Sequence, residues 1–317
     1  MIISNSAISE DAALGRLLDF LRMQNYRFIT ITPLTHANIL ARRAGETAAT
    51  LRDVFGWNLP FEAQLLTAEL VALLDEAGAL EKAGAQWRSK IRVSTIGDAL
   101  FLHSAYPTEQ DNAVFFGPDT YRFVRFVGHA MERAPLEPGM RILDIGCGSG
   151  AGGLITASQC EDAELILNDI NPLALRYAAL NAQAMGARVE LAEGESLACV
   201  RGKFDLIIAN PPYMVDRQAR TYRHGGEGLG RSLSMRMATE ALSRLAPGGR
   251  LMLYTGVAIV DGKDGLLQEL APLLDQTGCT WRYEEIDPDV FGEELLQPAY
   301  RQVERIAAVG LVARLPI

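Results

Sequence analysis

Residues 142–153 read ILDIGCGSGAGG, an apolar strand, a glycine turn and the opening of a helix. Gly146, Gly148 and Gly150 let a backbone pass close to a ligand, where a Cβ would collide. Asp144 stands at the strand's C-terminal end, where open α/β sheets bind ligands. A helix N-terminus adds free N–H groups and positive potential.

The same texture extends along the chain from about residue 119. DTYRFVRFVGHAMERA (119–134) reads as a helix capped by Asp119 or Thr120. Strands follow at 140–146, 163–169, 188–194, 204–210 and 249–256, with helices from Gly150, across 172–185 and across 231–245. Apolar strands separated by helices predict a doubly wound, mostly parallel α/β sheet covered on both faces. CTWRYEEID (279–287) and VERIAAVGLVARL (303–315) predict a closing hairpin that places one antiparallel strand in that sheet, with no helix between them.

Before residue 111 the texture differs. SEDAALGRLLDFLRMQ (9–24) spaces Leu14, Leu17, Leu18 and Leu21 at helical intervals, with Ser9 as cap. Helices are also predicted over 35–44, from Thr47 and across 60–80. Alternation at Ile91, Val93 and Thr95, a Gly97-Asp98 turn and a return over Ala99–His103 predict a β-hairpin within 87–104. The division is an N-terminal domain, 1–110, helical with a hairpin and winged-helix-like, and a cofactor-binding domain, 111–317.

Charge narrows the function. The 317-residue chain carries a net charge of −9. Through residue 115 it has ten Lys/Arg against thirteen Asp/Glu. That balance disfavours phosphate neutralisation, so the N-terminal domain reads as a packing or dimerisation module that lids the site, giving a possible homodimer, rather than as a non-specific nucleic-acid binder. Apolar content of 49% and charged content of 22% are those of an ordinary globular protein. Cys147, Cys160, Cys199 and Cys279 form no C-x-x-C pair, which argues against a metal site or a disulfide framework and fits a reducing cytoplasm. No apolar run is long enough to span a membrane.

Asp169, at the end of the second strand of the sheet, is placed to accept ribose hydroxyls. With the glycine turn it indicates an adenosine-containing cofactor, either NAD or S-adenosylmethionine. Gly148, Gly150 and Gly153 even satisfy G-x-G-x-x-G. Asp144 leans the choice, since an acid beside the loop opposes a pyrophosphate and favours an ammonium and a sulfonium.

Residues 205–214, DLIIANPPYM, supply the last element. DIGCGSG, the acid in NDINP and NPPY after the fourth strand of the sheet together resemble class I S-adenosylmethionine-dependent methyltransferases. The narrower likeness is to the small-domain group, which includes release-factor glutamine methyltransferases and enzymes methylating exocyclic amines of adenine or guanine. It covers about 116–317 and implies a seven-stranded sheet with the last strand antiparallel. Carried over, it implies that Gly146, Gly148 and Gly150 line the methionine portion, Asp169 holds the ribose and Ile170 meets the adenine. Glu195 stands near the adenine amine, with Ser196 helping through its backbone. Cys147 is a small spacer in the loop.

Methyl transfer to nitrogen is an in-line displacement, and a planar nitrogen must be oriented for it. The Asn210 side-chain oxygen can accept one N–H of an amino group and the Pro211 carbonyl the other. Both prolines stiffen the corner, with Pro212 beside the substrate. Tyr213 can stack on a flat acceptor. The alternative reading is an enzyme that cyclises the cofactor's own aminobutyryl chain, releasing methylthioadenosine. A DNA-binding regulator and an NAD-dependent oxidoreductase are further removed.

Around this corner, Phe115, Phe116 and Tyr121 are placed to cap the cofactor or wall the substrate. The segment departs from the glutamine methyltransferase pattern, which has Arg before the proline where Gly117 stands. Arg217, Arg220, Arg223, Arg231 and Arg236 face only Asp216 and Glu227 in sequence, a local positive cluster suited to a substrate anion. His224 is a further substrate contact. Gly225, Gly226, Gly228 and Gly230 suggest a pliable loop that closes over the site.

Overall fold

The computed structural model describes residues 5–216, 220 and 222–317. The N-terminal part opens with α1 (Asn5–Met23), which starts before the predicted Ser9 cap; the Ser9 hydroxyl instead donates to Glu76. Next come α2 (Pro33–Arg42), α3 (Leu51–Phe55) and α4 (Ala68–Glu76). Their starts follow local chemistry. Thr32 and Thr67 each accept a backbone N–H of the first turn, and Thr50 with Asp53 forms a reciprocal capping box. Thr50, rather than Thr47, therefore opens the third helix. Two hairpins follow, β1 (Leu80–Ala83) with β2 (Gln86–Ser89), and β3 (Ile91–Ile96) with β4 (Ala99–Ser104). The second is the predicted hairpin; the first has too few apolar residues to show in the pattern.

Then α5 (Pro118–Arg133) leads to the main sheet: β5 (Arg141–Ile145), α6 (Ala151–Ala157), β6 (Glu164–Asp169), α7 (Pro172–Ala184), β7 (Val189–Glu193), β8 (Phe204–Ala209), α8 (Ser232–Arg244) and β9 (Leu245–Val260). The chain closes with β10 (Lys263–Asp264), α9 (Gly265–Gln276), β11 (Thr280–Asp287) and β12 (Arg305–Arg314). Between β11 and β12 lie only two short turns, Gly292–Leu296 and Pro298–Tyr300, so no helix separates the closing strands, as expected; α9 precedes β11, in a stretch for which no element was predicted. Leu266, Leu270 and Leu274 form its buried stripe, and Pro272 interrupts the pattern that would have announced it.

Seven strands run in the order β11-β12-β9-β8-β5-β6-β7, and the two-residue β10 folds back on β9 as an eighth. Strands β5 to β9 pair in parallel, and β12 runs antiparallel to both neighbours. The sheet is covered on both faces. Ile142, Leu167, Leu206 and Met252 meet α5, α6 and α7, while Leu143, Ile166, Ile207 and Leu251 meet α8 and α9. After β7 the chain returns to the other side of β5. That reversal opens a crevice at the carboxyl ends of β5 and β8, where ligands bind in such sheets.

The N-terminal core is continuous with one face of α7. Leu14, Leu17, Phe55, Leu70 and Leu102 cluster with Ala174, Tyr177 and Leu180. Among the described residues, no helix is long and apolar enough to cross a membrane.

Candidate active site

A cleft of about 550 Å³ lies at this switch point. It is lined by Asp144, Gly146, Cys147 and Gly148 at the end of β5, Asp169 and Ile170 at the end of β6, Glu195 after β7, and Asn210 to Met214 after β8. One crevice therefore gathers residues from four strand ends.

The glycine turn is tied by two acids. Gly153 donates its N–H to Asp144 at 2.7 Å, and Gly148 donates to Asp169 at 2.8 Å. The other Asp169 oxygen accepts from Asn171 N at 2.9 Å, which holds the carboxylate at the mouth of α7. Burial raises both acids, Asp144 to about 7, with Asp169 nearby pushing it further up and the Gly153 N–H opposing. Burial also raises the Cys147 thiol, as do the two acids, so it stays protonated and fits a spacer.

The residues fit a cationic adenosine ligand. A Cβ built on Gly148 would meet nothing within 4 Å, so room opens above the turn. Ile170 presents a half-exposed apolar side chain to the cleft. Two N–H groups of the turn and the helix start are already taken by carboxylates, and a pyrophosphate would face both acids. The arrangement disfavours a dinucleotide and suits an ammonium and a sulfonium.

At the end of β8, Asn210, Pro211, Pro212 and Tyr213 all reach the cleft. Among the described residues the Asn210 carboxamide has no hydrogen-bond partner, which leaves its oxygen free to accept. Tyr213 is buried, and its hydroxyl donates to Asp119. Its ring lies on Gly256, where an added Cβ would come within 2.1 Å of a ring carbon. Phe291 meets the ring edge-on at 6.1 Å.

Several expected residues lie elsewhere. Phe116 is not a wall of the cleft; it is buried against His103, with centroids 5.0 Å apart, and against Phe101 and Tyr121. Phe115 takes the cleft position, nearly parallel to Tyr222 at 6.1 Å. Gly150 faces inward, where a Cβ would meet Ala178 and Leu154 at 3.1 and 3.2 Å. Ser196 caps a short turn through its side chain and is absent from the lining. Glu195 reaches the cleft as half of an exposed pair with Arg236, at 2.8 Å.

The arginine cluster is not a free positive patch. Arg220 binds Asp216 through both ends of its guanidinium, and Arg223 pairs with Glu294 and Asp216. Arg231 pairs with Glu269. Arg217 lies outside the described residues. Arg223 and His224 do line the cleft, with His224 Nδ1 accepting from Asp216 N at 3.3 Å. The glycine-rich segment is pinned. Gly225 N donates to Met214 O, and a Cβ on Gly230 would fall 2.0 Å from the Tyr213 carbonyl.

The sequence predicts Asp119 or Thr120 as the cap of α5. Gly117 takes that position, and the Asp119 carboxylate enters the cleft wall, accepting from Tyr213 and, at 2.9 Å, from Tyr254. No local signal could reveal this, because its partners lie far away in sequence.

Residues 129–259 match the family model described as the methyltransferase small domain. Over this stretch the chain is similar to S-adenosylmethionine-dependent methyltransferases. A release factor glutamine methyltransferase from Deinococcus radiodurans is 34% identical over 173 residues, 51% of this chain and 58% of the relative. A protein of the same name from Koribacter versatilis is 28% identical over 189 residues, 55% of this chain and 62% of the relative. The chain thus spans less than two thirds of the length of these relatives. In fold, it resembles Trm5b from Pyrococcus abyssi at a TM-score of 0.50 and 16% identity, over 78% of this chain and 68% of that one.

Proposed function

We propose that the protein is an S-adenosylmethionine-dependent N-methyltransferase acting on a planar nitrogen, an amide or an exocyclic amine. The carrying observation is that the Asn210–Tyr213 corner and the Gly146–Gly148/Asp169 turn share one cleft. When bound, S-adenosylmethionine supplies an activated methyl group on a sulfonium.

The chain's residues would then act as follows. Asp169 holds the ribose hydroxyls, Ile170 packs on the adenine, and Gly146 and Gly148 leave room for the methionine portion. Asp144, behind the turn, favours the ligand's positive charge. Glu195 reaches toward the adenine edge. Asn210 Oδ1 and the Pro211 carbonyl accept the two N–H groups of the acceptor and orient its lone pair toward the methyl carbon. These acceptors also build negative potential where positive charge grows on nitrogen. Tyr213 and Pro212 hold the planar group, and Phe115, Tyr222 and His224 wall it. The proton leaves to water once transfer has occurred.

Among planar nitrogens a glutamine amide is favoured, because the relatives are named for it. Gly117, where those enzymes carry Arg, argues for a different entry to the site, which Phe115 fills by lying over it: a Cβ on Gly117 would fall 2.7 Å from the Phe115 ring. The N-terminal residues 1–110, winged-helix-like in order of elements, serve as a packing module behind the cofactor turn.

The test is an incubation of the protein with S-adenosylmethionine alone and with dialysed protein, RNA or small-molecule fractions, followed by mass analysis. Adenosylhomocysteine should form only when an acceptor fraction is present. Methylthioadenosine from cofactor alone would overturn the reading in favour of cofactor cyclisation.

A further inference from the structure

We propose that Asp119 is a positioning residue for Tyr213, aiming its ring at the acceptor, so that the two act as one unit in the transfer step. The inference rests on the reading above that the Asn210–Tyr213 corner receives the acceptor. Asp119 is the second residue of α5, yet it plays no part in capping that helix. Its carboxylate is buried at the cleft wall and is fully engaged. Oδ2 accepts from the Tyr213 hydroxyl, and Oδ1 accepts from Tyr254 at 2.9 Å and from Arg122 at 3.2 Å. Arg122 is itself held by Asp287 at 2.9 Å.

A tyrosine ring turns about two torsions, and here three contacts oppose that freedom. The ring's floor is the bare backbone at Gly256, its edge meets Phe291, and its hydroxyl is locked by Asp119. A buried carboxylate is costly to desolvate, and it is tolerated only when its lone pairs are satisfied. A backbone carbonyl would anchor a phenol with less desolvation. What the carboxylate adds is electron density. A phenol donating to an anion has a more electron-rich ring face, and such a face attracts the positive charge that grows on the acceptor nitrogen. Burial raises the Tyr213 hydroxyl well above its ordinary value, with Asp119 adding to the rise, so the phenol remains the donor.

A merely structural network would tie α5 to β9 and matter only to stability. The variants Asp119→Asn and Tyr213→Phe, singly and together, separate the two roles in the full chain. The first readout needs no acceptor. With tyrosines labelled with carbon-13 at Cζ, the Tyr213 signal, assigned by its loss in Tyr213→Phe, should shift in Asp119→Asn. The dissociation constant for S-adenosylhomocysteine, measured by calorimetry, should stay within about threefold of wild type.

The second readout is transfer of tritiated methyl from S-adenosylmethionine to whichever fraction the wild-type protein labels. Each single variant should lower kcat by about tenfold or more with little change in KM, and the double variant should fall no further than the worse single. An unshifted Tyr213 signal, or losses that simply add, would overturn the proposal. So would a loss of S-adenosylhomocysteine binding that parallels a fall in melting temperature. Should wild type label no fraction, the methyltransferase reading fails instead, and the labelled-tyrosine result still decides whether Asp119 holds Tyr213.

Discussion

Two glycine-rich segments border the cleft, and their glycines serve opposite ends. In the turn after β5, Gly148 has open space where its side chain would be, and Gly146 has only the Met237 methyl at 3.6 Å. In the segment after the Asn-Pro-Pro-Tyr corner, Cβ atoms on Gly225 and Gly230 would strike backbone at 2.1 and 2.0 Å. The first pair of glycines leaves open space in the cleft. The second lets chain pack on chain, and so fixes the backbone of Tyr213 from behind. Absence of a side chain is one chemical fact with two structural meanings.

The sharpest way to break this contrast is Gly230→Ala. It adds backbone collision to a positive φ of 89°. The expected loss is about 3 kcal/mol or more of stability, read as a fall in the denaturation midpoint. A variant as stable as wild type would mean that the second segment is loose after all. Gly148→Ala should behave differently. Its φ is +54°, so the ligand-free protein should lose only about 1 kcal/mol. Cofactor affinity should drop by about tenfold or more as the methyl enters ligand space, measured by calorimetry.

Asp144 sharpens the first half of the comparison. Burial lifts its carboxyl to about 7 in the fold, above its value in the unfolded chain. The folded protein therefore holds the extra proton, and this group's share of stability is full below the unfolded value and is lost as pH rises to about 7. A cationic ligand reverses the preference and favours the anion. Cofactor uptake near pH 6 should release a proton, and affinity should rise with pH until about 7, at most tenfold per unit. Asp144→Asn should abolish the slope and cost about tenfold in affinity at pH 8. A pH-independent wild type would remove Asp144 from the cofactor's field. The smallest effect belongs to Glu195→Gln. Its pair with Arg236 is half in water, so stability should change by less than about 1 kcal/mol and affinity by about threefold at most.

Much of this was legible from the chain itself. Leu206 to Ala209 read as a buried strand because such strands need apolar residues on both faces. The glycine turn, Asp169 and the proline pair read as a site because local chemistry restricts what they can do. What stayed hidden was set by distance. Asp119 looks like a helix cap until Tyr213 and Tyr254, 94 and 135 residues away, are brought to its oxygens. The arginines look cationic until Glu294 and Glu269 arrive from later elements. Phe115 and Phe116 are adjacent and alike, and only the hairpin packed behind them decides which one turns into the core. The glycines after Tyr213 announced freedom, because a sequence cannot say what occupies the space that a missing side chain leaves.

One buried amide reaches further than its size suggests. Asn181, on α7, exchanges hydrogen bonds with both backbone groups of Leu102 in β4 and donates to the carbonyl of Ser149 beside Gly148. That carboxamide ties the N-terminal part to the turn at the cleft, alongside the apolar packing of the same part on α7. Heat should consequently melt the two halves in one endotherm, and a protease that trims the first hundred residues should leave behind no competent remnant.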